Sequence, residues 1–238
     1  EWLKQRYGAQ RFFFTDECVA LSPAKRLCQQ IIDKKLDIKW TCEMRFEKHL
    51  TRELLASMRD AGCLKIVFGL ESFNQRVMDF MKKGIKQESV RRIVDDCVDL
   101  GIAVHCYVIV GFPTEKEEEA LDTMNFVVGN KKLHESYGFS CQPCLFDLEK
   151  EAPIMSDPGS YGIRRIMRPA TEDLSLGFFY EVQEGMTPAQ AEQLYQQVYE
   201  KISEVVCELP FNYSMADGLL YIARAKSQAL QVPQPTGS

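Results

Sequence analysis

Five apolar runs of the chain end in residues able to hold or transform a polar ligand. Asp16 and Glu17 follow "RFFFT", Glu43 and Arg45 close "IKWTCEMR", and Glu71 and Ser72 follow "LKIVFGL". Gly111 and Glu115 end "YVIVGFPTE", and Cys141 and Cys144 bound "CQPC". Carboxylates pair with ammonium groups or accept from hydroxyls, and an arginine offers the matching fork to a carboxylate. A glycine at a strand end lets a ligand come close to the backbone. Taken singly, each position also reads as a helix cap or a solvated turn. Taken together they make one polar rim, because chance would scatter polar and apolar ends. Glu71 is therefore expected at a pocket mouth and not in the core.

"CQPC" has half the spacing of a zinc or redox site. A structural zinc site needs a second pair or histidines at matching distance. The chain offers one pair and three histidines, His49, His105 and His134. Cys141 and Cys144 therefore read as strand-packing thiols, and no metal ligand is assigned. His105, inside an apolar run, reads as a packed or site-lining residue.

The elements that must position this rim alternate. The runs at 11–15, 38–45, 64–70, 102–110 and 137–142 are strand-like, and helical spacing lies between them. After Gln87, Val90, Ile93, Val94, Cys97 and Val98 share a helix face, and Gly101 is placed to end it in a left-handed turn. Thr114 and Glu117 match a capping box, followed by Ala120, Leu121, Met124, Val127 and Val128. Strands alternating with helices predict βαβ units, a parallel sheet and ligands at the carboxyl ends of its strands. Five strands in about 135 residues are too few for a closed eight-stranded barrel. No glycine-rich dinucleotide fingerprint follows the first strand. The predicted fold is α/β: an incomplete, TIM-like partial (β/α)6 barrel over 1–150, with about five βα units present, and a mainly helical extension over 151–238. In the extension, "EAPIMSDPGSYGIRRIMRP" reads as a connector. Thr187, Pro188 and Gln190 then open a long helix with Ala191, Leu194, Val198, Ile202 and Val205 on one face. A last helix is expected at about 216–229, ahead of a flexible tail.

Composition narrows the partners. The 238 residues are 45% hydrophobic with a net charge of −5, which makes a nucleic-acid partner unlikely because phosphate binding needs a concentrated positive surface. No apolar run is long enough to span a bilayer. Nine cysteines, several within apolar periodic segments, imply a reducing, cytoplasmic compartment.

The ordered strand ends resemble those of the radical S-adenosylmethionine (SAM) enzymes, in particular the group whose radical domain follows a cobalamin-binding domain. "FFFTDE" looks like the second-strand motif, "IKWTCEMRFE" like the third strand, and "AGCLKIVFGLESFNQRVMDFMKKG" like the fourth strand and its helix. "GIAVHCYVIVGFPTE" is similar to the fifth, and "FFYEVQEGMTPAQAEQ" resembles the segment after the barrel, so the likeness covers about residues 11–195. The resemblance implies S-adenosylmethionine as cofactor. Asp16 and Glu17 would face its methionine amino group, and Glu71 and Ser72 its ribose hydroxyls or amino-acid part. Arg45 is the candidate for the methionine carboxylate by charge alone. The strand at 107–111 would lie along the adenine, with Gly111 allowing close approach; Glu115 would join it, although capping of the next helix explains that carboxylate equally well.

A [4Fe–4S] cluster, an upstream cobalamin domain and a reductant such as flavodoxin or ferredoxin are also implied. The complete protein would cleave S-adenosylmethionine to a 5′-deoxyadenosyl radical and modify or methylate a substrate that the sequence does not name. One feature of the family is missing. Its C-x-x-x-C-x-x-C loop, whose thiolates hold the cluster, has no counterpart in the chain. That loop belongs one strand upstream of "FFFTDE", and the chain starts at Glu1 about ten residues before that strand. The expectation is an N-terminally truncated chain, inactive by itself. Two alternatives stay open: a cluster-less binding or scaffold module with the same fold, and a lyase or hydrolase using Glu71 and Glu115 as acid and base.

Overall fold

The computed structural model of the chain describes residues 1–129, 138–168 and 177–205. Five strands, β1 (Arg11–Phe13), β2 (Lys39–Met44), β3 (Cys63–Glu71), β4 (Ala103–Val110) and β5 (Phe139–Leu145), form one parallel sheet in chain order. A short helix α1 (Trp2–Tyr7) precedes β1. The crossovers carry α2 (Leu21–Asp33), α3 (Arg52–Asp60), the pair α4 (Gln75–Phe80) and α5 (Gln87–Asp99), and α6 (Glu117–Val128). A doubly wound sheet reverses its strand order at a switch point. None occurs here, so the sheet is the arc of a (β/α) barrel that the strand pattern predicts.

Alternation along each strand separates two faces. Cys42, Ile66, Val104 and Phe139 lie in register across β2 to β5 and are all buried in the main hydrophobic core, under the helices. Val90, Ile93, Val94 and Cys97 of α5 fill the same core, on the face their spacing predicts. A fully buried aliphatic side chain of this kind contributes about 1.5–3 kcal/mol. The opposite face carries Glu43, Val67, His105 and Ser140, again in register.

Helix starts follow local chemistry. The Thr51 side chain accepts from the Leu54 amide at 3.4 Å, and Asn74 accepts from Arg76 and Val77 at 3.1 and 3.3 Å. Gly101 takes φ 75°, as its place behind α5 requires. One expected cap is displaced. Thr114 does not open α6: it sits at φ 73°, and the helix starts at Glu117 behind Lys116, whose amide donates to the Glu119 carboxylate at 2.8 Å. The buried face of α6 is Ala120, Thr123, Phe126 and Val127, which brings in a threonine that hydrophobic periodicity passes over.

Residues 148–182 depart from the expected connector. The strands β6 (Leu148–Glu149), β7 (Ile163–Met167) and β8 (Gly177–Val182) form an antiparallel sheet in the order β6-β8-β7, over a small core of Leu148, Ile154, Ile163 and Tyr180. Paired arginines and a register shift between Ile163 and Arg165 hide the period of two in "IRRIM". The long helix, α7 (Pro188–Val205), opens as predicted: Thr187 N–H donates to Gln190 Oε1 at 2.9 Å and Gln190 N–H to Thr187 Oγ1 at 3.3 Å. Ala191, Leu194, Val198 and Ile202 are buried in the main core against α6 and β5. His134 and the helix expected at 216–229 lie outside the described residues.

Candidate cofactor wall at the strand ends

The ends of β1 and β2 are open. Asp16 and Glu17 follow β1 and are exposed; Arg45 follows β2 and is exposed as well. Among the described residues, none of these three side chains makes a hydrogen bond or an ion pair. Arg45 lines a shallow surface cleft together with Phe46, Gly69, Leu70, Met78, Lys83 and Ile85. Phe46, stacked on Phe68 with ring centres 4.1 Å apart, stiffens its wall.

The ends of β3 and β4 are tightly bonded. Glu71 closes β3 at φ 61°, half-buried, and its Oε1 pairs with Lys83 Nζ at 3.0 Å. A Cβ on Gly69 would lie 2.5 Å from Glu71 Oε1, so the carboxylate folds back over the strand only because residue 69 is glycine. Ser72 is fully buried. Its hydroxyl lies 3.2 Å from Thr123 Oγ1 and accepts from the Asn74 amide at 3.1 Å, while Thr123 also accepts from the Phe73 amide at 2.8 Å. Ser72 thus ties the β3–α4 turn to α6. Arg76 of α4 pairs with Glu119 through two nitrogens and donates to the Thr114 carbonyl at 2.9 Å.

Glu115 is 1% exposed, and its Oε2 accepts from the Gly111 amide at 2.7 Å. Its other oxygen has no hydrogen-bond partner among the described residues. Burial pushes this carboxyl up to about 8, against the pull of the Gly111 N–H. Gly111 itself is at φ 84°, and a Cβ there would lie 2.4 Å from Cβ of Ala191 on α7. The close approach that glycine permits is thus filled by α7.

"CQPC" is not a strand end, because β5 runs on to Leu145. Cys141 is in the core and Cys144 is half-buried on the opposite face, its thiol pushed up by burial and by nearby Glu71. On that face His105 Nδ1 lies 2.8 Å from Ser140 Oγ and its ring meets Tyr107 edge-on at 5.0 Å. Burial, and then Lys65, lower His105 to about 4. A neutral imidazole under these conditions is a hydrogen-bonding group and a weak base.

The rim therefore brings Arg45 and the unforeseen Lys83 to one cleft, with Glu71 held by Lys83 and with Asp16 and Glu17 on the neighbouring strand end. It leaves Ser72 and Glu115 inside the scaffold. Lys83 has no role legible in the sequence, because no helical or strand period links it to a carboxylate twelve residues away.

The family model of the radical SAM superfamily matches residues 1–127, more than half of the chain. The chain belongs to the radical SAM superfamily, a family of enzymes. It is 29% identical over 137 residues to an uncharacterized methyltransferase of Pyrococcus horikoshii, covering 57% of this chain and 29% of the relative. Two solved structures share the fold. The radical SAM methyltransferase TsrM from Kitasatospora setae, with cobalamin and a [4Fe-4S] cluster bound, has TM-score 0.57 at 18% identity, over 81% of this chain and 39% of that one. The cobalamin-dependent SAM radical enzyme OxsB, with aqua-cobalamin bound, has TM-score 0.59 at 12% identity, over 81% and 34%. The chain thus spans under a third of the curated relative and under two fifths of each solved neighbour.

Proposed function

We propose that this chain forms the S-adenosylmethionine-binding wall of a methyltransferase-type radical SAM enzyme. The open end of β1 and β2 carries the reading: among the described residues, two exposed carboxylates and one exposed arginine have no partner, beside a cleft lined by Lys83, which pairs with Glu71. That set suits a ligand holding both an ammonium and a carboxylate group, with hydroxyls between them. Asp16 and Glu17 take the amino group, Arg45 the carboxylate, and Glu71 a ribose hydroxyl. Three inter-strand steps of about 4.8 Å carry the wall from β1 to β4, whose strand backbone lies along the adenine while Gly111, packed against Ala191, ends the strand behind it. Ser72 and Glu115 serve the same site from behind by holding the turns that present it.

The described residues do not fit a [4Fe–4S] cluster: among them no group of three or more His, Cys, Asp or Glu side chains is placed to hold a metal. Burial pushes the thiols of Cys28, Cys63, Cys97 and Cys106 up, the opposite of what thiolate ligands need. Our reading assigns the cluster, and cobalamin as methyl carrier, to residues outside those described. In that complete enzyme a cluster held elsewhere would supply reducing chemistry, with a flavodoxin or ferredoxin as electron donor in a reducing cytoplasm, while this chain's residues would only hold the cofactor. Residues 1–150 are then the barrel arc and 151–238 its extension. Among the described residues no helix is long and apolar enough to cross a membrane.

The test is anaerobic incubation of the complete gene product, reconstituted with iron and sulfide, with S-adenosylmethionine and dithionite. Release of 5′-deoxyadenosine or S-adenosylhomocysteine supports the reading. Tight binding of S-adenosylhomocysteine with no turnover of the cofactor would show a binding module and overturn the enzymatic half.

A further inference from the structure

Four separate contacts converge on the turn between β4 and α6. Thr114 holds φ 73°, an uncommon conformation for a β-branched residue. A Cβ on Gly162, just before β7, would lie 2.4 Å from Thr114 Cγ2. A Cβ on Gly185, itself at φ 83°, would lie 2.6 Å from the Thr114 carbonyl carbon and 2.7 Å from the Glu115 oxygen. The Met186 amide donates to the Glu115 carbonyl at 2.8 Å, and Ala191 of α7 seats against Gly111. Three glycine-permitted approaches and one backbone hydrogen bond thus dock the extension on Gly111, Thr114 and Glu115. At the centre, the buried Glu115 carboxyl spans the turn to the Gly111 amide.

We infer that the Gly111–Glu115 turn couples the extension to the cofactor wall, with Glu115 as the positioning residue. The extension holds Thr114 in its strained form, that form places the Glu115 carboxyl under the Gly111 amide, and the bond fixes the end of β4 in the shape that takes the ligand. Loosening the extension frees the turn and weakens the site without touching any group on the ligand side. The inference rests on the proposal that the end of β4 belongs to the cofactor wall. It also assigns a protonation state to the latch. Arg76 on α4 and Glu119 on α6 are the charged groups whose fields reach Glu115, and Glu184, ahead of α7, acts on Arg76. Arg76 is already taken by Glu119 and Thr114, so burial dominates and the closed turn holds a neutral carboxyl.

Binding of S-adenosylhomocysteine to the complete gene product, by calorimetry, is paired with hydrogen exchange at the Gly111 amide. Gly185→Ala is expected to weaken binding about tenfold or more and to speed Gly111 exchange. Glu115→Gln keeps an acceptor for the Gly111 amide and cannot ionise. Between pH 7 and pH 9 wild type is expected to lose about tenfold more affinity than Glu115→Gln, which retains only the pH dependence of the ligand and the other groups. If Gly185→Ala fails to fold, the Glu115→Gln profile decides. Unchanged affinity in folded Gly185→Ala, or a wild-type pH profile in Glu115→Gln, overturns the coupling alone. A wild-type protein that does not bind S-adenosylhomocysteine overturns the cofactor-wall reading and the coupling with it.

Discussion

Asp16 and Glu17 after β1, and Glu71 and Glu115 after β3 and β4, are all carboxylates at the ends of parallel strands. Their surroundings differ. The first two are exposed and have no partner among the described residues, while Glu71 is paired to Lys83 and Glu115 is buried against the Gly111 amide. Arg45 and Arg76 repeat the contrast: one is exposed beside a cleft, and the other is clasped by Glu119 and Thr114. The comparison teaches that a polar strand end has two uses in this sheet. At β3 and β4 it closes turns and joins helices, and at β1 and β2 it stays exposed, which is why we propose the cofactor's charged groups there. Substitutions in the two halves should therefore move different observables.

The largest effect is expected from pH acting on the bonded half. Glu115 is raised in the fold to about 8, so the folded state holds a proton that the unfolded state releases near 4.5. Its stabilising contribution is complete below pH 4.5 and is lost as pH rises to about 8, a change on the order of 5 kcal/mol. Denaturation across that range should show the decline in wild type and a flatter curve in Glu115→Gln. Next, Gly111→Val forces a branched side chain into a left-handed backbone and against Ala191; urea unfolding should show a loss of about 2–3 kcal/mol. Thr123→Val leaves Ser72 and the Phe73 amide without their buried partner, and the same assay should register about 2 kcal/mol. Arg76→Ala, at a partly exposed pair, should lose about 1–2 kcal/mol. In the open half, Asp16→Asn, Glu17→Gln and Arg45→Gln should each shift stability by less than about 0.5 kcal/mol. If any of these three destabilises like Thr123→Val, the two halves are not distinct.

The parallel sheet was legible because its strands are continuous apolar runs and its helices keep their spacing. Val90 through Cys97 of α5, and Thr187 with Gln190 at the start of α7, stand where pattern and cap chemistry put them. The antiparallel sheet of the extension was not legible, since β6 has two residues and β7 is interrupted by a bulge. For the proposed site, residue type pointed to Asp16, Glu17, Arg45 and Glu71. It could not separate ligand groups from scaffold groups, because that depends on partners distant in sequence: Thr123 for Ser72, Ala191 for Gly111, Met186 for the Glu115 carbonyl. Gly111 shows this best. Its glycine was legible as a point of close approach, but the approaching group lies eighty residues further on.

The central claim is that the open half of the rim binds the cofactor, and one titration addresses it directly. S-adenosylhomocysteine is titrated into the complete gene product and into its Asp16→Asn/Glu17→Gln/Arg45→Gln variant, with the unfolding midpoint of each recorded. Loss of two or more charge-assisted contacts predicts about thirtyfold weaker binding or more in the variant, at an unchanged midpoint. Equal affinity in the two proteins, or no binding by wild type, would contradict the account.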